Sequence, residues 1–274
     1  MKRLVNFSGG ACSFWAAHRE IKEYGSKNVA LIFADVLIEH PDLYDFNRRA
    51  EDKLGVQITR ICVGKTPWQI FREQGLIANA RFPICSIRLK REPLNQWMEQ
   101  NYELSVNQQN MFKEHGVVVL GFDWNELHRV SEFQLEHPTW ALSAPMTDAP
   151  IWDKCKMLSE CERLGFKKQT LYELGFPHNN CGGACVRAGI SHFVHLYRVL
   201  PEKYLEWEFE ELFTQEVLKN RGIESWGFTI LKDRRNGETK PLSLRTLRLR
   251  IESGEDLPKH DWGGCGCGGA TGMN

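Results

Sequence analysis

No apolar stretch in this chain approaches the ~20 residues that a membrane-spanning helix needs; the longest, such as 116–122, are strand-sized. Net charge is missing too, because 35 Lys and Arg balance 35 Asp and Glu. Overall charge therefore gives no argument for a nucleic-acid or membrane-surface partner, although a local patch stays compatible with it. A secretory h-region is also lacking: Met1-Lys2-Arg3 runs directly into a strand-like segment, so the expectation is a cytoplasmic protein without membrane contact. No internal repeat is present. In a reducing compartment the nine cysteines are better explained by metal or redox chemistry than by a disulfide framework. What remains is a chain of 274 residues, enough for one large α/β domain or a nucleotide domain with a smaller appendage.

The first half alternates strand-like runs (Leu4–Phe7, Val29–Phe33, Val56–Cys62, Val117–Phe122) with helical patterns (Ser13–Tyr24, Leu43–Leu54, Pro67–Gln74, Leu89–Asn101). Continuous apolar strands separated by amphipathic helices predict an α/β fold with a mostly parallel sheet, helices on both faces. Right-handed crossovers then bring Ser8–Ser13, Asp35–Pro41 and Gly121–Arg129 to one edge of that sheet. After about residue 150 helices dominate: Trp152–Leu164, Lys168–Leu174, Cys185–Val199 and the acidic Glu202–Asn220. A hairpin around Asn236-Gly237 and a segment Ser243–Ser253 follow. The division is thus 1–150, a nucleotide-binding α/β domain, and 151–274, a helical and hairpin region holding cysteine metal-site candidates.

The segment richest in chemistry is Phe7-Ser8-Gly9-Gly10-Ala11-Cys12-Ser13, directly behind the first strand. Paired glycines admit an anion close to the backbone, Ser8 and Ser13 add hydroxyls, and the following helix points free N–H groups at the same place. A phosphate-bearing ligand is expected there, with a Cβ at Gly9 intruding on phosphate space.

Ordered blocks over about residues 4–190 carry a resemblance. They are Phe7–Gly10 with Ser13; Ile32-Phe33-Ala34-Asp35 with Glu39-His40-Pro41; Cys85-Ser86 leading to Lys90-Arg91-Glu92-Pro93-Leu94; and Gly121-Phe122 with Glu126 and Arg129. In this order they resemble the adenine-nucleotide α-hydrolase (PP-loop) superfamily, in its phosphoadenosine phosphosulfate (PAPS) reductase-like branch. The resemblance implies that Ser8, Gly9, Gly10, Ser13, Asp35 and Gly121 bind ATP or a PAPS-type nucleotide, with magnesium. It implies that Lys90, Arg129 and Cys85 do the chemistry. Bland readings stand beside these: Asp35 as a cap for the next segment, Arg129 as a surface ion pair, Glu39-His40 as ordinary loop. One departure counts against the family's pyrophosphate-releasing chemistry, since Cys12 occupies the position where adenylating relatives carry a magnesium-binding aspartate.

Cys181-Gly182-Gly183-Ala184-Cys185 sets two thiols four residues apart in flexible backbone, and Cys265-Gly266-Cys267 adds two more. On spacing alone, four thiolates suit tetrahedral zinc or an iron–sulfur cluster. Cys85 leans toward the cluster through the resemblance, because cluster-binding reductases carry a cysteine pair there and a second pair later; Ser86 replaces one of them here. The candidate ligands are Cys85, Cys181 and Cys185, with Cys265 or Cys267 as a possible fourth. Cys62, Cys155 and Cys161 read as small packing residues.

Finally, Lys232–Arg250 is rich in Lys and Arg, with Trp226 and Phe228 nearby. It reads either as a nucleic-acid contact or as a solvated hairpin and helix face. Glu202–Glu216 reads as a solvated face. Together with the resemblance these features lead to an expected activity, ATP-dependent sulfur transfer to a nucleic acid, assisted by an iron–sulfur cluster and a sulfur or electron donor protein. The alternatives are reduction of an adenylylated sulfate, and a nucleotide-binding regulator without catalysis.

Overall fold

A computed structural model describes residues 1–108, 112–224, 228–234 and 237–263. Its centre is a five-stranded, all-parallel sheet built from β1 (Lys2–Asn6), β2 (Val29–Asp35), β3 (Ile58–Cys62), β4 (Gly116–Val119) and β5 (Leu142–Ser143). The strand order is β3-β2-β1-β4-β5, so direction of progress reverses at β1, between its neighbours β2 and β4. The α/β sheet expected from the alternating pattern is there, with the short β5 added at one edge.

Both faces of the sheet are covered, which is why β2, β4 and the Leu4-Val5 centre of β1 are apolar without alternation. On one face Val5, Phe7 and Leu31 meet Phe14 of α1 (Ala11–Tyr24) and Phe46 of α2 (Pro41–Leu54). Met157 and Cys161 of α7 (Lys154–Arg163) close that layer, and Trp15 Nε1 donates to Met157 O at 2.9 Å. On the other face Leu4, Ile32 and Val118 meet Met98 of α5 (Glu92–Asn101) and Phe133 of α6 (Leu127–Glu136). Buried Glu20 fastens α1 across the strand edges, accepting from Arg3 at 2.5 and 2.9 Å and from Ser143 Oγ at 2.7 Å.

A third core joins both halves of the sequence. Trp68 and Phe71 of α3 (Pro67–Gln74) pack with Phe193 of α9 (Ile190–Val199) and with Tyr204 and Trp207 of α10 (Pro201–Asn220). Leu244 and Leu247 of α11 (Leu244–Glu252) complete it beside an antiparallel pair, β6 (Leu231–Asp233) and β7 (Lys240–Leu242). The acidic helix α10 corrects one expectation. Glu211 is fully buried, its carboxylate accepting from Ile230 N at 3.0 Å and Leu244 N at 2.7 Å, so it clamps the hairpin and α11 onto α10 instead of facing solvent. Cys62 and Cys155 are also corrected, being exposed, whereas Cys161 is buried as expected.

Short helical pieces shape the edge near the strand ends. The run from α4 (Ile84–Ser86) into α5 contains a π-turn, Ile87–Arg91, in which Glu92 N bonds five residues back to Ile87 O. Pro93 lacks the N–H that Leu89 O would take in an α-helix and crowds that carbonyl, so the ladder widens just where Lys90 sits. The four-residue α8 (Thr170–Glu173) lies against the start of α1 through Gln169 Nε2, which donates to Gly9 O at 2.8 Å. Among the described residues no helix is long and apolar enough to cross a membrane.

Candidate functional site

The loop behind β1 is closed from within. Ser13 Oγ accepts from Ser8 N and faces Ser8 Oγ, each at 3.2 Å, and donates to Gly10 O at 2.9 Å. Gly9 takes φ +76°, and a Cβ there would lie 2.8 Å from Asn47 Oδ1 and Leu43 Cγ of α2. Its constraint is therefore turn geometry and packing, not the phosphate space expected from sequence. Gly121 has a comparable reason, since its Cβ would stand 2.9 Å from Ser13 Cα, where the chain after β4 passes the first turn of α1.

A cleft opens between this loop and the C-terminal ends of β1, β2 and β4, at the topological switch point where open α/β sheets take their ligands. Ser8, Gly10 and Gly121 line it, as do Lys90 and Arg129. Arg129 pairs with Glu126 and lies 4.0 Å over the Phe122 ring. Lys90 lies 3.2 Å from Glu39 Oε1. Gly9, Ser13, Asp35 and Cys85 do not line the cleft; they shape or flank it. Asp35 is buried, and its carboxylate accepts from Leu37 N at 2.8 Å, Tyr44 Oη at 2.9 Å and Arg60 Nε at 2.8 Å. That geometry is the capping role weighed for it, an Asx-type turn holding Leu37 at φ +64°. His40 caps α2, with Pro41 at its first turn, while Glu39 turns inward toward Lys90.

Sequence reasoning missed three lining residues. Lys154, first residue of α7, reaches the cleft. Burial opposes its charge, but Tyr172, Cys12, Glu126 and Asp123 around it more than offset this and hold its pKa above the ordinary lysine value. Tyr172 lines the cleft, its Oη 3.2 Å from where a Cβ on Gly10 would stand. Asn179 is 2 % exposed, lines the cleft, and neither its Oδ1 nor its Nδ2 has a hydrogen-bond partner. Buried amides are rarely left so; a water, an ion or a ligand ordinarily completes them. Asn6 Oδ1, in the same lining, is also without a partner. No local signal in the sequence marks Lys154 or Asn179, because each reaches the loop only through the tertiary fold.

Cys12 also faces the cleft, and burial pushes its thiol pKa up to about 12. It is a neutral thiol at physiological pH, unfit for a hard divalent cation.

Next to the cleft lies a small pocket where Cys85, Cys181 and Cys185 come together with Lys90, Val36, Ile38 and Trp207. Lys90 belongs to both linings. Cys181 has φ +52°, unusual for a side-chain-bearing residue, and is followed by Gly182 and Gly183, also at positive φ. Its N–H donates to Glu39 Oε2, and a Cβ on Gly182 would strike Ile38 O at 2.7 Å, so this loop is pressed onto the segment before α2. Among the described residues no group of three or more His, Cys, Asp or Glu is arranged to hold a metal. Cys265 and Cys267 lie outside the described residues.

Three cations of the basic stretch 232–250 are paired with carboxylates. Arg248 bonds Glu208 at 2.7 and 3.0 Å and also Glu252, Arg250 bonds Asp233 at 2.6 Å, and Lys240 pairs with Glu238. Trp226 and Arg235 lie outside the described residues.

No family model matches the chain. The uncharacterized protein MJ0066 of Methanocaldococcus jannaschii is similar, 24% identical over 208 residues. That match covers 75% of this chain but 40% of the archaeal protein, so the chain spans well under half of its relative's length.

Proposed function

We propose that this chain is a PAPS reductase-like PP-loop enzyme of the cytoplasm that binds ATP at the strand-end cleft and uses it for sulfur modification of a nucleic acid. The observation that carries the reading is the composition of the cleft: a serine–glycine loop, four cations (Lys90, Arg91, Arg129, Lys154) and the orphaned amide of Asn179 converge at the switch point. Such a set suits a polyphosphate with a polar partner group beyond it.

In this reading the loop and the cations hold the triphosphate. A substrate oxygen attacks the α-phosphorus, the bond to the β-phosphate oxygen breaks, and pyrophosphate leaves. The terminal sulfur of a donor protein's persulfide then attacks the activated carbon and AMP departs; a second thiol of that donor attacks the resulting C–S–S linkage, leaving the sulfur on the product and a disulfide on the donor. Lys90 and Lys154 stabilise charge on the phosphate oxygens as the bond breaks. Glu126, in the lining, and Asp123 offer the oxygen donors that magnesium prefers and that the protonated Cys12 does not.

The support for an iron–sulfur cluster at the shared pocket is donor chemistry alone: three soft thiols in a wall that also holds Ser86, Lys90 and Arg187, one of the thiols on a backbone held at positive φ. Cys85, Cys181 and Cys185 would hold it, and it would supply an open iron for sulfur. Zinc remains the competing occupant. Metal analysis after anaerobic purification separates them: Cys85→Ala losing iron and brown colour supports the cluster, and a colourless protein keeping stoichiometric zinc contradicts it.

The reaction itself is tested by incubating the protein with ATP and RNA and following pyrophosphate and AMP. RNA-dependent release of both is expected. Thiol-dependent sulfite release from PAPS, without ATP consumption, would assign the reductase activity instead.

A further inference from the structure

Three cavities adjoin in series. Lys90 joins the nucleotide cleft to the cysteine pocket, and Arg187 joins the cysteine pocket to a third cavity, a groove of about 610 Å³. Four cations line that groove: Arg81 from the segment before α4, Arg187 from the loop after Cys185, and Lys232 and Arg234 from β6 and its exit. They are remote in sequence and meet only in the fold. Its two carboxylates are engaged by the protein itself: Asp233 takes Arg250 at 2.6 Å, and Asp261 Oδ2 accepts from Ile190 N at 3.1 Å. Arg81 and Arg234 are exposed and make no ion pair among the described residues. Phe82, in the same lining, is 48% exposed.

We infer that this groove binds a single-stranded nucleic acid, with phosphates on Arg81, Arg187, Lys232 and Arg234 and a base stacked on Phe82, so that the strand passes the cysteine pocket. The inference rests on the proposed sulfur modification of a nucleic acid and names where that acceptor lies. It also moves the contact away from the hairpin and helix face expected at 232–250, where Arg248 and Arg250 already have carboxylate partners. Cations lining a groove together with an accessible aromatic ring are the means by which proteins hold single strands, the charges tracking phosphates and the ring taking a base.

Fluorescence anisotropy of a labelled short single-stranded RNA, titrated with the full chain over a salt series, tests this. The wild type should bind at low salt with affinity falling linearly on a log–log plot. Arg81→Ala/Arg234→Ala should lose at least ~10-fold in affinity and lower the salt slope by about 1.4, the share of two phosphate contacts on a single strand. Phe82→Ala should lose ~10-fold with the slope unchanged, since stacking carries no counterion term. Unchanged affinity and slope in the double variant would overturn the groove assignment, as would absence of RNA binding by a wild type that binds ATP. ATP affinity is measured alongside on the same samples. Its absence in the wild type would overturn the nucleotide reading of the cleft and leave the groove to be judged by its own titration.

Discussion

The ammonium of Lys90 stands 3.2 Å from Oε1 of Glu39, and the other oxygen of that carboxylate accepts the N–H of Cys181. One buried side chain thus ties a cation of the nucleotide cleft to the backbone of the cysteine loop. Both partners are well shielded, with side-chain exposures of 11% for Lys90 and 2% for Glu39, so solvent screens the pair little. Glu39→Ala should cost about 3 kcal/mol in denaturant unfolding, because it removes the carboxylate from a shielded ion pair. It should also free the Cys181 loop, speeding alkylation of Cys181 several-fold as read by mass spectrometry. Unaltered Cys181 reactivity would mean that Glu39 does not hold the loop.

Gly9 offers a test of what its glycine is for. With φ at +76° and a Cβ 2.8 Å from both Asn47 and Leu43, Gly9→Val should destabilise the fold itself, by about 2–4 kcal/mol from backbone strain and overpacking. Gly10→Ala meets Tyr172 Oη at 3.2 Å and Ser8 Oγ at 3.7 Å and should unfold close to the wild type. A Gly9→Val protein with wild-type stability would restore the simpler idea that this position only clears room for phosphate.

Cys12 differs chemically from the exposed thiols. Burial raises its pKa to about 12, so at pH 8 the thiolate that reacts with iodoacetamide is nearly absent. Peptide mapping should show Cys62 and Cys155, both exposed, alkylated well before Cys12 and the equally buried Cys161. Cys12 reacting as fast as Cys62 would contradict the burial that disqualifies it as a magnesium ligand.

Glu211 should leave its mark on stability against pH. Desolvation raises its pKa from 4.5 to about 7, while the N–H groups of Ile230 and Leu244 pull the other way, Glu208 adds to the rise and Lys232 lowers it. A carboxyl raised on folding is bound to its proton in the native state after the unfolded chain has released it. Its contribution is complete below about pH 4.5, declines as pH rises to about 7 and is gone above, a change on the order of 2–4 kcal/mol. Urea unfolding between those limits should show the decline, and Glu211→Gln should flatten this component. An identical pH profile in the variant would assign the dependence elsewhere.

Much of the sheet was legible because buried parallel strands and amphipathic helices write their periods directly into the sequence. The strand before Ser8 and the helix after Cys12 needed no long-range information. β5 escaped notice because two residues cannot display a period, and α6 because the run after Gly121 was read as loop. At the site, Ser8, Gly10, Gly121, Lys90 and Arg129 were found through local motifs and do meet at the cleft. Lys154 and Asn179 were not, since their place depends on α7 docking against α1 and on the loop before Cys181. The acidic helix misled for a related reason: sequence gives the charge of Glu211, but only packing reveals the two backbone donors that satisfy it.

The most direct test of the account is calorimetric titration of ATP into the wild-type protein and into Lys154→Ala and Asn179→Ala. Saturable binding at one site is expected, weakened at least ~10-fold in each variant, as loss of a shielded cation or of a buried amide bond implies. Thermal unfolding should remain cooperative in both. A wild type that binds no adenine nucleotide, or folded variants that bind ATP as tightly as it does, would contradict the claim that this cleft is built for the nucleotide.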